Sequence, residues 1–217
     1  MYKRVTHTIT EEHFGHPMAA EIKHTLENQS EGIRPMLGAT TADKFRSDVD
    51  AYFVGLHSKL TNIMSATETG SMETLVAAET LYFDEVDQIG KMMMPYYGIE
   101  FNERITQVFR GMGLSMIGIA RNLKFKSDVR TLVERLMENF NNFDILLNQF
   151  NNVWVGGTVK STWTTIVDAL VAEAAAIMNK DSTASINEHT KASNLISAFS
   201  NTLANSVIQQ YPNKFIL

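Results

Sequence analysis

Apolar residues recur every three or four positions along most of the chain, which is the spacing of one face of an α-helix. The clearest early stripe consists of Phe45, Val49, Phe53, Leu56, Leu60 and Ile63. Thr41 or Asp43 precedes this stripe and suits the N-cap of its helix, since both side chains carry an oxygen acceptor. The residues 65–71 are mostly Ser, Thr, Gly and other small or polar types, and this composition predicts a loop.

Similar stripes predict further helices on both sides of this one. They run from Met18 to Leu26 behind Pro17, from Leu75 to Met93, from Ile105 to Ile119, from Val129 to Phe150, from Trp163 to Ile177 and from Ala192 to Val207. Pro95 with Gly98 is expected to end the helix that contains Met93, and Asn179–Ser182 to end the one that contains Ile177. No alternating strand pattern of useful length is present.

The fold prediction is therefore all-α: an antiparallel bundle of about seven helices joined mostly by short loops. Residues 1–10 are expected to form a flexible lead-in, and 11–217 a single helical-bundle domain. Gly111, Gly113 and Gly118 each weaken their helix by about 1 kcal/mol relative to alanine. Since they fall within helical periodicity, they favour close approach of another helix over a phosphate-binding loop.

Two short segments repeat within the chain. Phe45–Val49 and Phe125–Val129 share a Phe-basic-Ser-Asp-Val pattern, and each is predicted to open a long amphipathic helix. Asp87 before Tyr97, and Asp144 before Trp154, are separated by the same interval. Duplication of a helical unit and chance matching both remain open on these residues.

Composition excludes several functions and leaves others. The 217 residues are 44% hydrophobic and 20% charged, with a formal net charge of −5 and no cysteine. Without a basic excess, non-specific nucleic-acid binding is not expected, and without cysteine there is no thiolate chemistry. No secretory signal or bilayer-spanning segment is recognised, so we expect a cytoplasmic protein that does not bind membranes.

No catalytic signature rises above this background. The chain has no GxxxxGK[ST] or GxGxxG phosphate loop, and no strand–turn–helix elbow supports a Ser–His–acid set. Whether the protein is an enzyme is left undecided, with a non-enzymatic role preferred. No catalytic residue is assigned.

Histidines and carboxylates offer the main chemical alternative, a metal held between helices. Glu21 and His24 have the Glu-x-x-His spacing that places two ligands on one helix face. His57 lies on a mostly apolar helix. Further candidates lie just before the Glu-x-x-His pair or could contribute from other helices, and they are His13, His16, Asp84, Glu85, Asp87, Glu188 and His189. Such a set suits a divalent transition metal. Against it, a dinuclear carboxylate bundle needs two Glu-x-x-His pairs, and a half-buried structural role is the more ordinary interpretation of His57.

Several motifs together resemble a family of bacterial helical-bundle proteins of unassigned function that are built from two similar halves. The family pattern of His-x-x-Trp-Thr-Arg, an Asp, and then Pro-Tyr-Tyr-Gly is similar to His57–Asn62, Asp87 and Pro95–Gly98. Its closing aromatic-Pro-x-Lys-Phe motif resembles Tyr211–Phe215. The chain departs from the pattern in having Leu60 for the Trp and Asn62 for the Arg, and in lacking later histidines before His189. The resemblance implies the bundle and a duplication, but no activity.

The sequence therefore favours a non-enzymatic bundle that acts in binding or assembly. Its partner is itself or another protein, and the final helix with Ile196, Phe199, Leu203 and Val207 is either packed internally or faces that partner. One alternative is a metal-binding bundle of the ferritin-like or damage-inducible type, with His57, His24 and Glu21 as candidate ligands. A second alternative is a viral or phage structural protein, and no residue favours it specifically.

Overall fold

Five α-helices make up most of the chain in the computed structural model, which describes residues 40–155 and 158–216. They are α1 (Ala42–Thr69), α2 (Met72–Lys124), α3 (Arg130–Phe150), α4 (Thr158–Met178) and α5 (Ser182–Gln210). A 3₁₀ turn covers Pro212–Lys214, and the two-residue strands β1 (Thr40–Thr41) and β2 (Phe215–Ile216) pair with each other. The all-α prediction is confirmed.

The number of helices predicted from the sequence, seven, is wrong, because two of the predicted helices belong to α2. Gly98 lies inside α2 with non-helical backbone angles (φ 81°, ψ −174°), so the helix changes direction there. Pro95 does not end the helix; it lies inside α2 a few residues before this break. Such a change of direction needs a left-handed φ at only one residue, and glycine adopts that angle without the steric cost of a side chain. The helix predicted behind Pro17 and the boundary at residue 10 lie outside the described residues.

The loop predicted over 65–71 is also wrong for most of its length. Helix α1 continues through it to Thr69, because Ala66 and Thr67 are buried and their packing outweighs local composition. The left-handed Gly70 (φ 77°) ends the helix and donates its amide hydrogen to the Ala66 carbonyl. At the other end, Thr41 is the N-cap and accepts a hydrogen bond from the Lys44 amide at 3.1 Å, which confirms the first of the two predicted caps.

The helices pack as a bundle around one hydrophobic core. The main pairs are α1 with α2 and α5, α2 with α3, and α4 with α5. Asp50 near the start of α1 accepts hydrogen bonds from Ser197 and Ser200, whereas Thr61 further along α1 contacts His189. Since the contacts on α5 run backwards as those on α1 run forwards, these two helices are antiparallel.

The stripe of the final helix lies inside the chain's own core. Ile196, Phe199, Leu203 and Val207 are each at most 5% exposed. Phe199 packs against four other aromatic rings, those of Phe53, Phe143, Trp154 and Trp163. Of the two interpretations of this stripe, packed or partner-facing, the structure therefore supports internal packing.

The C-terminal motif closes one end of the bundle. The Lys214 ammonium lies over the rings of Tyr96 and Tyr211, at 5.7 and 5.6 Å from their centroids, and donates a hydrogen bond to the Pro95 carbonyl. Phe215 is buried and stacks on Tyr96, with 5.5 Å between ring centroids. Cation–π contacts and ring stacking thus attach the chain end to the bend in α2.

None of the helices in the described part of the chain is both long enough and apolar enough to cross a bilayer.

Candidate metal centre

His57 lies on the core face of α1, in step with Phe53, Leu56 and Leu60, and only 2% of its surface is exposed. It is more deeply buried than the half-buried position expected from the sequence. Its Nε2 atom lies 2.8 Å from Glu173 Oε2, and its Nδ1 atom lies 3.1 Å from Ser193 Oγ. Both ring nitrogens therefore have polar partners, and each partner comes from a different helix.

Glu173 is the most deeply buried charged residue of the described chain, with none of its surface exposed. It lies on α4, within an alanine-rich segment. Its Oε1 atom accepts a hydrogen bond from Thr61 Oγ1 at 2.7 Å and lies 2.9 Å from His189 Nδ1. A carboxylate without solvent needs such partners, because an unpaired buried charge is strongly unfavourable.

His189 completes the cluster from the N-terminal half of α5. Its ring stacks on that of His57, with centroids 4.5 Å apart and 21° between the planes. The side chain of His189 is 37% exposed, whereas that of Glu173 is fully enclosed. The cluster therefore has a buried side at Glu173 and a side that solvent reaches at His189.

Electrostatics in the cluster favour a charged carboxylate. Burial by itself raises the pKa of Glu173, but the hydrogen bond and positive charge of His57, with hydrogen bonds from Thr61 and His189, outweigh burial and lower that pKa below its ordinary value. These contacts therefore favour the ionised form of Glu173 although its side chain is fully buried.

His57, Glu173 and His189 could together hold a metal ion. One ligand atom from each lies within 4.8 Å of the ligand atoms of the other two. Zinc lies about 2 Å from nitrogen and oxygen ligands, which places neighbouring ligands of a tetrahedral ion roughly 3.3 Å apart. The present separations, 2.8 Å from His57 Nε2 to Glu173 Oε2 and 2.9 Å from His189 Nδ1 to Glu173 Oε1, would have to lengthen by about half an ångström around such an ion.

Thr61 and Ser193 have the positions that supporting residues take in metal sites. A histidine that binds a metal through one nitrogen usually donates its other N–H to a nearby acceptor, which fixes the tautomer. Ser193 Oγ is such an acceptor for His57 Nδ1. Thr61 donates to the carboxylate and thereby orients it. Each hydroxyl lies four residues after a histidine of the cluster, so each pair shares a helix face.

The sequence prediction of ligands covers one member of this cluster. The structure brings His57 together with Glu173 and His189, while the other two predicted ligands, His24 and Glu21, lie outside the described residues. The sequence offers His189 only as a possible contribution from another helix, and it gives no prediction for Glu173. A signal for Glu173 was present: it continues the core spacing of Ile166 and Leu170, where a carboxylate is out of place.

Comparison with known proteins yields no assignment: no protein-family model, curated protein or solved structure matches this chain. The resemblance to two-half bacterial bundles stays a prediction.

Proposed function

We propose that this protein binds one divalent transition-metal ion through His57, Glu173 and His189. The observation that carries the proposal is the position of Glu173: a fully buried carboxylate that contacts a nitrogen atom of two different histidines. The three side chains come from α1, α4 and α5. A site built in this way forms only in the folded bundle.

The donor set narrows the choice of ion. Two imidazoles and one carboxylate suit Fe²⁺, Zn²⁺ or Mn²⁺ better than Ca²⁺ or Mg²⁺, which prefer all-oxygen sites. Three protein ligands leave at least one coordination position free, and this arrangement is typical of catalytic or ligand-binding metal sites rather than closed structural ones. The exposed side of His189 supplies the entry path that a metal requires.

The competing interpretation is a metal-free hydrogen-bond network that ties three helices together. Both interpretations place the same atoms in contact, and they differ in what happens to the protons. A metal displaces the hydrogen that each histidine shares with Glu173, whereas the network requires it. A purely structural cluster does not take up metal, so metal content distinguishes the two interpretations.

The experiment that tests the proposal uses the full chain, purified without a histidine tag, stripped with a chelator and then dialysed against Zn²⁺, Fe²⁺ or Mn²⁺. We expect about one equivalent of bound metal by elemental analysis in the wild type. His189→Ala and Glu173→Gln should each lower this to less than about a tenth of an equivalent, because two protein ligands hold a metal weakly. Ser193→Ala should weaken affinity by about 10- to 100-fold.

Glu188→Gln is the matched control, since it removes a carboxylate next to His189 that does not belong to the cluster. His24→Ala tests the ligand predicted from the sequence, and circular dichroism verifies that each variant is folded. The proposal is wrong if the wild type binds less than a tenth of an equivalent of every metal tested, or if Glu188→Gln loses as much metal as Glu173→Gln does.

Assembly through the final helix stays a separate prediction. Its apolar stripe is used inside the chain, so no described residue of that stripe argues for a homo-oligomer. Light scattering at working concentration measures the oligomeric state independently of metal content.

A further inference from the structure

A cavity of about 30 Å³ lies in the core directly beside His57. All five helices contribute to its lining, and no lining residue is more than 8% exposed. The cavity therefore belongs to the interior of the bundle. His57 is the residue that it shares with the candidate metal centre.

The residues that line the cavity offer a water molecule almost no free hydrogen-bonding group. Among the lining residues, only His57, Tyr82 and Trp163 carry polar side-chain atoms. Both nitrogens of His57 have partners, and the Tyr82 hydroxyl donates to the Phe109 carbonyl at 3.0 Å. The buried Nε1 of Trp163 has no hydrogen-bond partner. A buried water typically makes two to four hydrogen bonds, so this cavity favours an apolar occupant over water.

The size of the cavity limits that occupant. One water requires about 10–15 Å³ of such volume, so 30 Å³ accommodates an occupant of about two heavy atoms. Aliphatic or aromatic molecules as large as benzene are excluded, since they occupy cavities of about 150 Å³. Ions are excluded because the lining supplies no compensating charge apart from the already paired His57.

We propose that this cavity binds a small uncharged apolar molecule of diatomic size beside the metal held by His57. The class is that of the diatomic gases, which combine low polarity with this volume. Trp163 lines the cavity and its buried indole N–H has no hydrogen-bond partner, so the signal of this N–H can report an occupant. The part of the proposal that concerns the metal rests on the proposed function, and the part that concerns the cavity does not.

Xenon bound to the metal-free protein tests the cavity by itself, because xenon enters apolar cavities without needing hydrogen bonds. In ¹H–¹⁵N spectra recorded at increasing xenon pressure, we expect a saturable shift of the Trp163 indole signal. The indole signal of Trp154 is the internal control: Trp154 is also buried, but it donates to Asp144 at 3.1 Å and does not line the cavity. Trp154→Phe assigns the two signals.

Matched leucine variants on α3 locate the xenon. Leu136 lines the cavity, and Leu146 is equally buried on the same helix without lining it. Leu136→Ala should enlarge the cavity and increase the xenon affinity reported by Trp163, whereas Leu146→Ala should leave the Trp163 response unchanged. The wild-type measurement stands alone if either variant does not fold. A wild type whose Trp163 signal does not respond, or responds no more than Trp154, overturns the proposal.

Nitric oxide bound to the Fe²⁺-loaded protein tests the position beside the metal. We expect a nitric oxide adduct, detected by electron paramagnetic resonance, whose apparent affinity falls when xenon occupies the cavity. An adduct that is indifferent to xenon overturns the placement beside the metal. If xenon binds but the protein takes up no metal, the cavity site stands and the proposed function fails, so the two failures are distinguishable.

Discussion

At the scale of single residues, the cluster around Glu173 illustrates how a buried charge becomes tolerable. Three groups from two helices surround its carboxylate, and each supplies a hydrogen or a positive charge. The sequence makes His57 a candidate ligand because it is a titratable residue on an apolar stripe. Its partners could not be predicted, since Glu173 is 116 residues away along the chain and only the folded bundle determines which side chains meet.

Thr61 should contribute measurably to the stability of this cluster. Thr61→Val keeps the shape of the side chain but removes the hydroxyl donor to Glu173 Oε1, which leaves this buried, charged oxygen with His189 Nδ1 as its remaining partner. We expect a loss of about 1–3 kcal/mol in the free energy of unfolding of the metal-free protein, measured by urea denaturation. Thr61→Ser retains the hydroxyl and is the control. Equal losses in the two variants would show that packing of the methyl group, rather than the hydrogen bond, is responsible.

Asp128 offers a pH-dependent test away from the cluster. Its carboxylate accepts hydrogen bonds from the Arg130 side chain at 2.8 Å and the Arg130 amide at 3.0 Å, and these contacts lower its pKa to about 2. Because the pKa is lowered, the favourable contact is complete at neutral pH and is lost only as the pH falls through about 2.

Arg130→Ala should raise the pKa of Asp128 part of the way towards its ordinary value, because the amide hydrogen bond remains while the side-chain bond and the charge are lost. A titration of the Asp128 carboxyl carbon followed by NMR measures both values. Arg130→Lys keeps the charge but not the paired geometry, and should give an intermediate pKa. An unchanged pKa in Arg130→Ala would contradict the assigned cause.

At the scale of helices, local patterns predicted the elements well and their junctions poorly. The stripes from Phe45 and Ala192 onward fall within helices of the structure, and the stripe that begins at Val129 lies in a helix from Leu132 onward, since Val129 itself is the N-cap of α3. The bend at Gly98 joins two predicted helices into one, because a residue with left-handed φ redirects a helix without requiring a loop. Such a bend depends on how the two halves of α2 pack, which the local sequence does not specify.

The structure shows which contacts the matched residues of the internal repeat make. Asp144 accepts a hydrogen bond from the Trp154 indole at 3.1 Å, so the two matched residues of the second half contact each other. Asp87, the matching residue of the first half, instead forms an ion pair with Arg110 at 2.8 Å. Tyr97 accepts a hydrogen bond from Asn151. The equivalent positions therefore make different contacts.

The close approach predicted at the helix α2 glycines has a direct test at Gly113. A Cβ atom added there would lie 2.2 Å from Cε1 of the buried Tyr82 ring, so Gly113→Ala forces the ring or the helix to move. We expect a destabilisation of about 1–3 kcal/mol by thermal or urea unfolding.

Gly55→Ala is the matched control, since it is a glycine inside a helix whose added Cβ would meet nothing within 4 Å. It should stabilise the protein by about 0.5–1 kcal/mol, because alanine loses less backbone entropy than glycine. If both variants change stability in the same direction, steric contact with Tyr82 is not the deciding factor.

At the scale of the whole molecule, one ring links most of the bundle. Phe199 on α5 contacts Phe53 on α1, Phe143 on α3 and Trp163 on α4. Phe199→Ala should therefore lower the free energy of unfolding by about 3–5 kcal/mol. Phe125→Ala, at a phenylalanine that is 74% exposed, should change it by less than about 0.5 kcal/mol. Urea denaturation of both variants measures the difference, and similar values would contradict the central role of Phe199.

The long separations within the candidate metal centre have a consequence for how the protein reaches its native state. His57 meets Glu173 across 116 residues and Ser193 across 136, whereas the two halves of α2 meet across 27, from Tyr82 to Phe109. Short-range contacts close at lower entropic cost and tend to form earlier. We therefore expect the cluster to be among the last parts to assemble, and a metal that binds there to stabilise the finished fold against every partly folded state by mass action. Metal loading would slow unfolding while leaving the early folding rate unchanged.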